Sequence, residues 1–231
     1  MKAEVLPARY REPGQRLFDD AVARELRPGM RILDVGSGRR PALPIEHRPQ
    51  ECHYVGLDLS REELQRAPEG SYDEMISGDI AHFIPETAEQ FDLALSWQVL
   101  EHVKPLPNAL ENIREYLAPS GTLIAPLSGR FSIFALINQA VPHRWVVWIL
   151  ARLLNRAPGT VFPAHYDHAW HGALVRAMAK WTEVDITPRY RGAVYFNFSD
   201  LLQRAYLVYE EWTMNRQHQN LASHYLLRAK K

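Results

Sequence analysis

The sequence predicts an α/β fold built on a mainly parallel, doubly wound sheet, and three observations carry that prediction. Short β-branched runs recur through the first 150 residues, helical patterns lie between them, and an acid or a glycine closes each of the first three runs. Strands that alternate with helices imply a parallel sheet covered on both faces.

The runs MRILDV (30–35), HYVGLD (53–58), EMIS (74–77), FDLALS (91–96) and TLIAPL (122–127) are each bounded by Gly, Pro, Asp or Ser and read as buried strands. The clearest helix covers 107–117, where Ala109, Leu110, Ile113, Tyr116 and Leu117 fall on one face and Pro119 and Gly121 provide the stop. A helical, aromatic-rich region over 129–155 then leads to the cluster PAHYDHAWH at 163–171. WTEVDIT (181–187) and HYLLRAK (224–230) read as two more strands, with a helix at 199–215 between them.

Composition narrows the function classes. With 231 residues, 46% hydrophobic and 23% charged, the chain has globular proportions. Lys+Arg and Asp+Glu both number 27, so the basic excess of nucleic-acid binders is missing and no nucleic-acid partner is expected. Cys52 is the single cysteine and has no partner for a disulfide or a thiolate metal site, which suits a reducing, cytoplasmic setting. The N-terminus lacks the apolar core of a secretory signal. The stretch 131–151 is interrupted by Pro142, His143 and Arg144, short of the roughly 18 consecutive apolar residues of a membrane span. Peripheral membrane contact through 131–155, or the lining of an apolar pocket, are the readings left for it.

The chemistry concentrates in ILDVGSG, residues 32–38. A strand runs through Asp34 into the turn Gly36-Ser37-Gly38, where glycine lets backbone bend sharply and approach a ligand. Asp58 ends the second strand 20 residues past Gly38, a spacing that suits a carboxylate on ribose hydroxyls. Gly78-Asp79-Ile80 follows the third strand. All three sites fall at carboxyl ends of parallel strands, where open α/β sheets bind ligands, so together they describe a nucleoside pocket. A dinucleotide fingerprint would need glycine at 41, which is Pro41. Asp34, beside the turn, would repel a pyrophosphate but favour an aminoacyl amine. Charge sign therefore points to S-adenosylmethionine.

ILDVGSG (32–38), YVGLDLS (54–60), SGDI (77–80), FDLALSWQVLEHV (91–103) and LAPSGTLIAPL (117–127) resemble the blocks of class I S-adenosylmethionine-dependent methyltransferases of the quinone-biosynthesis, type 11 group, in the family's order. The resemblance implies a Rossmann-like sheet of seven strands, the last antiparallel. By it, Asp34, Gly36, Ser37 and Gly38 meet the methionine part of the cofactor, Asp58 binds the ribose hydroxyls, and Leu59 beside it belongs to the cofactor site. Asp79 and Ile80 hold adenine, Ser96 and Trp97 line the methyl region, and Tyr10 folds over the cofactor. Two departures stand out: Arg40 replaces the family's usual third glycine, and Pro41 and Pro44 disturb the helix expected next.

One domain over 1–231 is expected: a cofactor-binding core at 1–127, insertions at 128–180 and 188–220 forming a helical cap, and closing strands at 181–187 and 221–231. The cap carries Phe131, Phe134, Trp145 and Trp148, then Tyr195, Phe196, Phe198, Tyr206, Tyr209 and Trp212, read as core or as an apolar lid. His165, Tyr166 and His168 are candidates for a general base, or pack in a loop. His102 either faces the substrate or packs its helix. His165, His168 and His171 do not share one helical face, so no metal site is expected. The resulting reading is methyl transfer to an O, N or C atom of a small hydrophobic, glycosylated or lipid-linked biosynthetic acceptor, with S-adenosylhomocysteine as product. A non-catalytic S-adenosylmethionine-binding regulator or partner subunit is the alternative.

Overall fold

The short apolar runs of the chain become the strands of its sheet, buried at the centre and exposed at the two edges. In the computed structural model, which describes residues 6–140 and 164–231, these are β1 (Arg31–Val35), β2 (His53–Asp58), β3 (Glu74–Ser77), β4 (Phe91–Leu95), β5 (Leu117–Ser128), β6 (Glu183–Arg189) and β7 (His224–Lys230). They form one sheet in the order β3-β2-β1-β4-β5-β7-β6. β1 to β5 run parallel, while β7 runs antiparallel to both of its neighbours. The order reverses between β1 and β4, which opens a crevice at the carboxyl ends of those strands.

Alternation along each strand divides the core between two faces. Leu33, Val35, Val55 and Leu57 pack on one side with Leu106, Leu110 and Ile113 of α3 (Leu106–Tyr116). Ile32, Tyr54, Leu93 and Leu95 pack on the other with Phe18 and Val22 of α1 (Gly14–Ala23). The remaining helices are α2 (Arg61–Gln65), α4 (Ile133–Ala140), α5 (His171–Ala177) and α6 (Asp200–Asn215). α5 packs on α3 and β6, and α6 packs on the 3-10 segment Gly192–Phe196.

The expected strands at 53–58, 74–77 and 224–230 have the bounds anticipated. β5 begins at Leu117, earlier than the 122 expected, because the chain turns directly from α3 into the sheet. β6 lies two residues later than 181–187, since Trp181 packs into the core instead. Between β1 and β2 only a 3-10 turn, Ile45–His47, forms, as the prolines at 41 and 44 suggest. Of the region 129–155, α4 is described; Pro142, His143, Arg144, Trp145 and Trp148 lie outside the described residues, as does Pro163. Among the described residues no helix is long and apolar enough to cross a membrane.

Candidate active site

β1 delivers the glycine turn to the mouth of the crevice. Gly36 and Gly38 have φ of +72° and +48°, the left-handed region that glycine adopts without strain. Gly36 is also pinned sterically, since a Cβ there would lie 2.4 Å from Val99 Cγ1. Its N–H donates to Leu57 O at 2.7 Å. The Gly38 carbonyl accepts from the Tyr72 hydroxyl at 2.8 Å, and Arg40 N–H closes the turn onto Ser37 O at 2.9 Å. The Arg40 side chain is exposed, so the turn is not rebuilt around its charge.

Asp34 lies beneath this turn, fully buried. Its Oδ2 accepts from Ala42 N–H and from the Tyr54 hydroxyl, each at 2.7 Å, while Oδ1 has no hydrogen-bond partner. Burial pushes its carboxyl up to about 6, against the opposing help of Tyr54 and Ala42. In place of the missing helix, this carboxylate fixes the return of the glycine loop. Arg48 completes the anchor, donating to Leu43 O and stacking 3.7 Å from the Tyr54 ring centre.

Asp58 faces the turn from the end of β2. Its Oδ1 accepts from Ser60 N–H at 2.8 Å, and Oδ2 lies 3.5 Å from the position a Gly38 Cβ would take. Partial burial raises its pKa, and the Ser60 and Gly38 N–H groups act the other way. Leu59 beside it is 75% exposed. Asp79 accepts from Ala81 N–H at 2.9 Å and pairs with His82 at 3.1 Å, while Ile80 is buried and its carbonyl accepts from Asn112. Ser37 is buried in the turn. Ser96, at the end of β4, is fully buried and its hydroxyl has no hydrogen-bond partner. A glycine cradle that a side chain would fill, an acid at its rim and an orphaned buried hydroxyl fit a bound nucleoside cofactor.

Segment 96–99 links this cradle to a cavity of about 360 Å³: Val99 abuts Gly36, while Trp97 and Gln98 line the cavity. Leu17 and Phe18 of α1, Pro126, Val194 and Tyr225 supply apolar walls. Arg189, Arg191, Tyr195 and His224 supply the polar ones. His224 pairs in register with Arg189 across β6 and β7. Burial and the two arginines push its imidazole down to about 4, so it is neutral near pH 7. Ser223 Oγ donates to Arg189 O at 2.9 Å and accepts from Arg191 N–H at 2.8 Å. Its one proton is thereby spent, so His224 Nδ1 donates to it at 3.1 Å, and the bare Nε2 accepts from the Tyr195 hydroxyl at 3.2 Å.

The base candidates drawn from the sequence lie elsewhere. His165 and Tyr166 donate backbone N–H bonds to Glu101 O, and His168 Nδ1 pairs with Asp167 at 2.9 Å while its ring stacks on Trp170. None of His102, His165, Tyr166 or His168 lines the cavity. The described residues hold no group of three or more His, Cys, Asp or Glu able to bind a metal. Tyr10, expected over the cofactor, instead bonds through its hydroxyl to Glu210. Arg189 and His224 sit at strand ends and Arg191 in the turn after β6, where the sequence offers only the clustered cations of PRYRG (188–192) as a signal.

A methyltransferase domain family model matches residues 5–168. No curated protein sequence matches the chain. Among solved structures, a possible exported protein from Bordetella parapertussis has a TM-score of 0.57 at 16% identity, with 94% of this chain and 66% of that one covered. An S-adenosylmethionine-dependent methyltransferase from Mesorhizobium loti has a TM-score of 0.54 at 17% identity, covering 93% and 98%. Phosphoethanolamine N-methyltransferase 2 of Haemonchus contortus, in complex with S-adenosyl-L-methionine, has 0.54 at 13% identity, covering 94% and 52%. The chain thus spans about two thirds of the first of these proteins and about half of the third. At these identities the likeness speaks of the fold.

Proposed function

The chain belongs to the methyltransferase domain family and has the class I S-adenosylmethionine-dependent fold, and we propose that it transfers a methyl group from S-adenosylmethionine to a small acceptor held in the 360 Å³ cavity. The observation that carries this reading is segment 96–99, which touches the glycine cradle with Val99 and lines the cavity with Trp97 and Gln98.

S-adenosylmethionine supplies a methyl group already activated on a sulfonium, for in-line displacement by a nucleophilic atom. The protein's share is alignment and exclusion of water. The Gly36–Gly38 turn gives close backbone approach, Asp58 offers acceptors to ribose hydroxyls, Leu59 and Ile80 offer apolar contact to the base, and Ser96 Oγ offers a free hydroxyl. Asp34 acts through the turn that it holds. Trp97, packed edge-on to Phe18 at 5.0 Å, walls the acceptor side. A cavity of about 360 Å³ favours a compact acceptor body over a whole lipid.

Calorimetric titration with S-adenosylmethionine and S-adenosylhomocysteine tests the reading, with Asp58→Ala as control. Saturable binding that the control weakens supports it. Wild-type protein that binds neither compound overturns it.

A further inference from the structure

The cavity's polar wall has one sign of charge. Arg189 and Arg191 both border it, and among the described residues neither guanidinium has a carboxylate within ion-pairing distance. Among the described residues the Arg191 guanidinium donates only to Tyr10 O, at 3.4 Å, and lies 5.8 Å from the Tyr10 ring centre. Burial and the neighbouring Arg191 push the Arg189 pKa down, and Glu12 opposes them from further away. Arg189 also borders a smaller hollow with Asp20 and Asp185, again without an ion pair. α1 turns its first residues, Gly14 and Gln15, toward the same space, with no side-chain cap and no acid in its first turn. Its dipole adds to the positive field. The neutral His224 adds hydrogen bonding and no charge.

Two guanidiniums half withdrawn from water, side by side and with no carboxylate paired to either among the described residues, are costly unless an anion completes the site. Their forked N–H groups match an oxyanion in geometry as well as charge. Phe18, Trp97 and Val194 leave room beside them for an apolar body.

We propose that Arg189 and Arg191 form an oxyanion subsite, and that the acceptor methylated here carries a carboxylate or phosphate on a compact apolar body. The proposal rests on the acceptor role given to this cavity and extends it to a substrate class.

The test is ligand binding by the full chain, with and without S-adenosylhomocysteine, using 4-hydroxybenzoate, phenyl phosphate and the neutral 4-hydroxybenzamide as probes. Benzoate against phosphate decides which oxyanion the site prefers. The expected result is at least tenfold tighter binding of one anionic probe than of the amide. Arg189→Gln and Arg191→Gln should each abolish that preference, and Arg189→Lys should restore part of it. Unchanged S-adenosylhomocysteine affinity and melting temperature in these variants show that fold and cofactor site survive. Equal binding of all three probes, or a preference that persists in both glutamine variants, overturns the subsite. A wild-type chain that prefers the anion yet binds no S-adenosylhomocysteine retains the subsite and removes the cofactor reading, so the two fail separately.

Discussion

The Tyr10 hydroxyl donates a hydrogen bond to the Glu210 carboxylate, joining positions 200 residues apart. The same carboxylate accepts from Arg9 at 2.9 Å and from Gly192 N–H at 2.6 Å, and Ala193 N–H donates back to the Tyr10 oxygen at 3.1 Å. Glu210 is 2% exposed, so this knot of N-terminal turn, residues 192–193 and α6 is a buried polar network beside the cavity. Glu210→Ala leaves three donors without their acceptor and should destabilise the protein by about 3 kcal/mol, read by urea unfolding. Faster proteolysis of the N-terminal segment should accompany it; a loss confined to a few tenths would show the network to be ornamental.

Asp58 is the acid best placed for ribose. Asp58→Ala should reduce S-adenosylhomocysteine affinity by roughly 1.5–3 kcal/mol, the worth of hydrogen bonds to a charged group. Calorimetry measures it directly, and undiminished affinity would place the ribose elsewhere.

Gly36→Ala meets two obstacles, a φ of +72° and a Cβ position 2.4 Å from Val99 Cγ1. The backbone strain alone is of order 1–3 kcal/mol. Adding Val99→Ala removes the two Cγ contacts but leaves the φ and a Cβ at 2.9 Å, so the double variant should recover only part of the stability lost. Full recovery would assign the whole cost to packing.

Asp34 should give stability a pH signature. Its carboxyl is raised from 3.8 to about 6, so the native state binds the proton more tightly than the unfolded chain. Its favourable contribution is complete below about pH 4 and is lost as pH rises through 6, by about 3 kcal/mol for a shift of this size. In Asp34→Asn that decline disappears, and unfolding midpoints compared at pH 5 and pH 7 reveal it. Parallel pH profiles for the two proteins would exclude a raised carboxyl at this position.

Asp167 and His168 separate a structural role from a chemical one. Asp167 Oδ2 accepts from Leu106 N–H at 3.0 Å, at the start of α3. Asp167→Ala should therefore cost about 1 kcal/mol, as loss of a helix cap does. His168→Ala, at an exposed pair, should cost less than about 1 kcal/mol. Thermal unfolding ranks them, and a larger loss in the histidine variant would reverse the assignment.

The strands, the glycine turn, and the acids at the end of β2 and just past β3 were legible in the sequence. Each of these is local: a strand declares itself by its own branched residues, and a turn by glycines that must sit where φ is positive. The bend at Pro41 and Pro44 was legible for the same reason. That Asp34 faces Tyr54 and Ala42 under the loop emerges from the packing, since burial depends on what the rest of the chain lays over a position. Packing also lines the cavity with Arg189, Arg191 and His224 and leaves out the histidines of 165–171, which pattern alone brings together. Antiparallel pairing of β6 and β7 sets Arg189 opposite His224, and the Arg191 N–H bond to Ser223 Oγ holds Arg191 beside them. Strand pairing joins residues far apart in sequence, and no periodicity within either segment encodes which partner it will face.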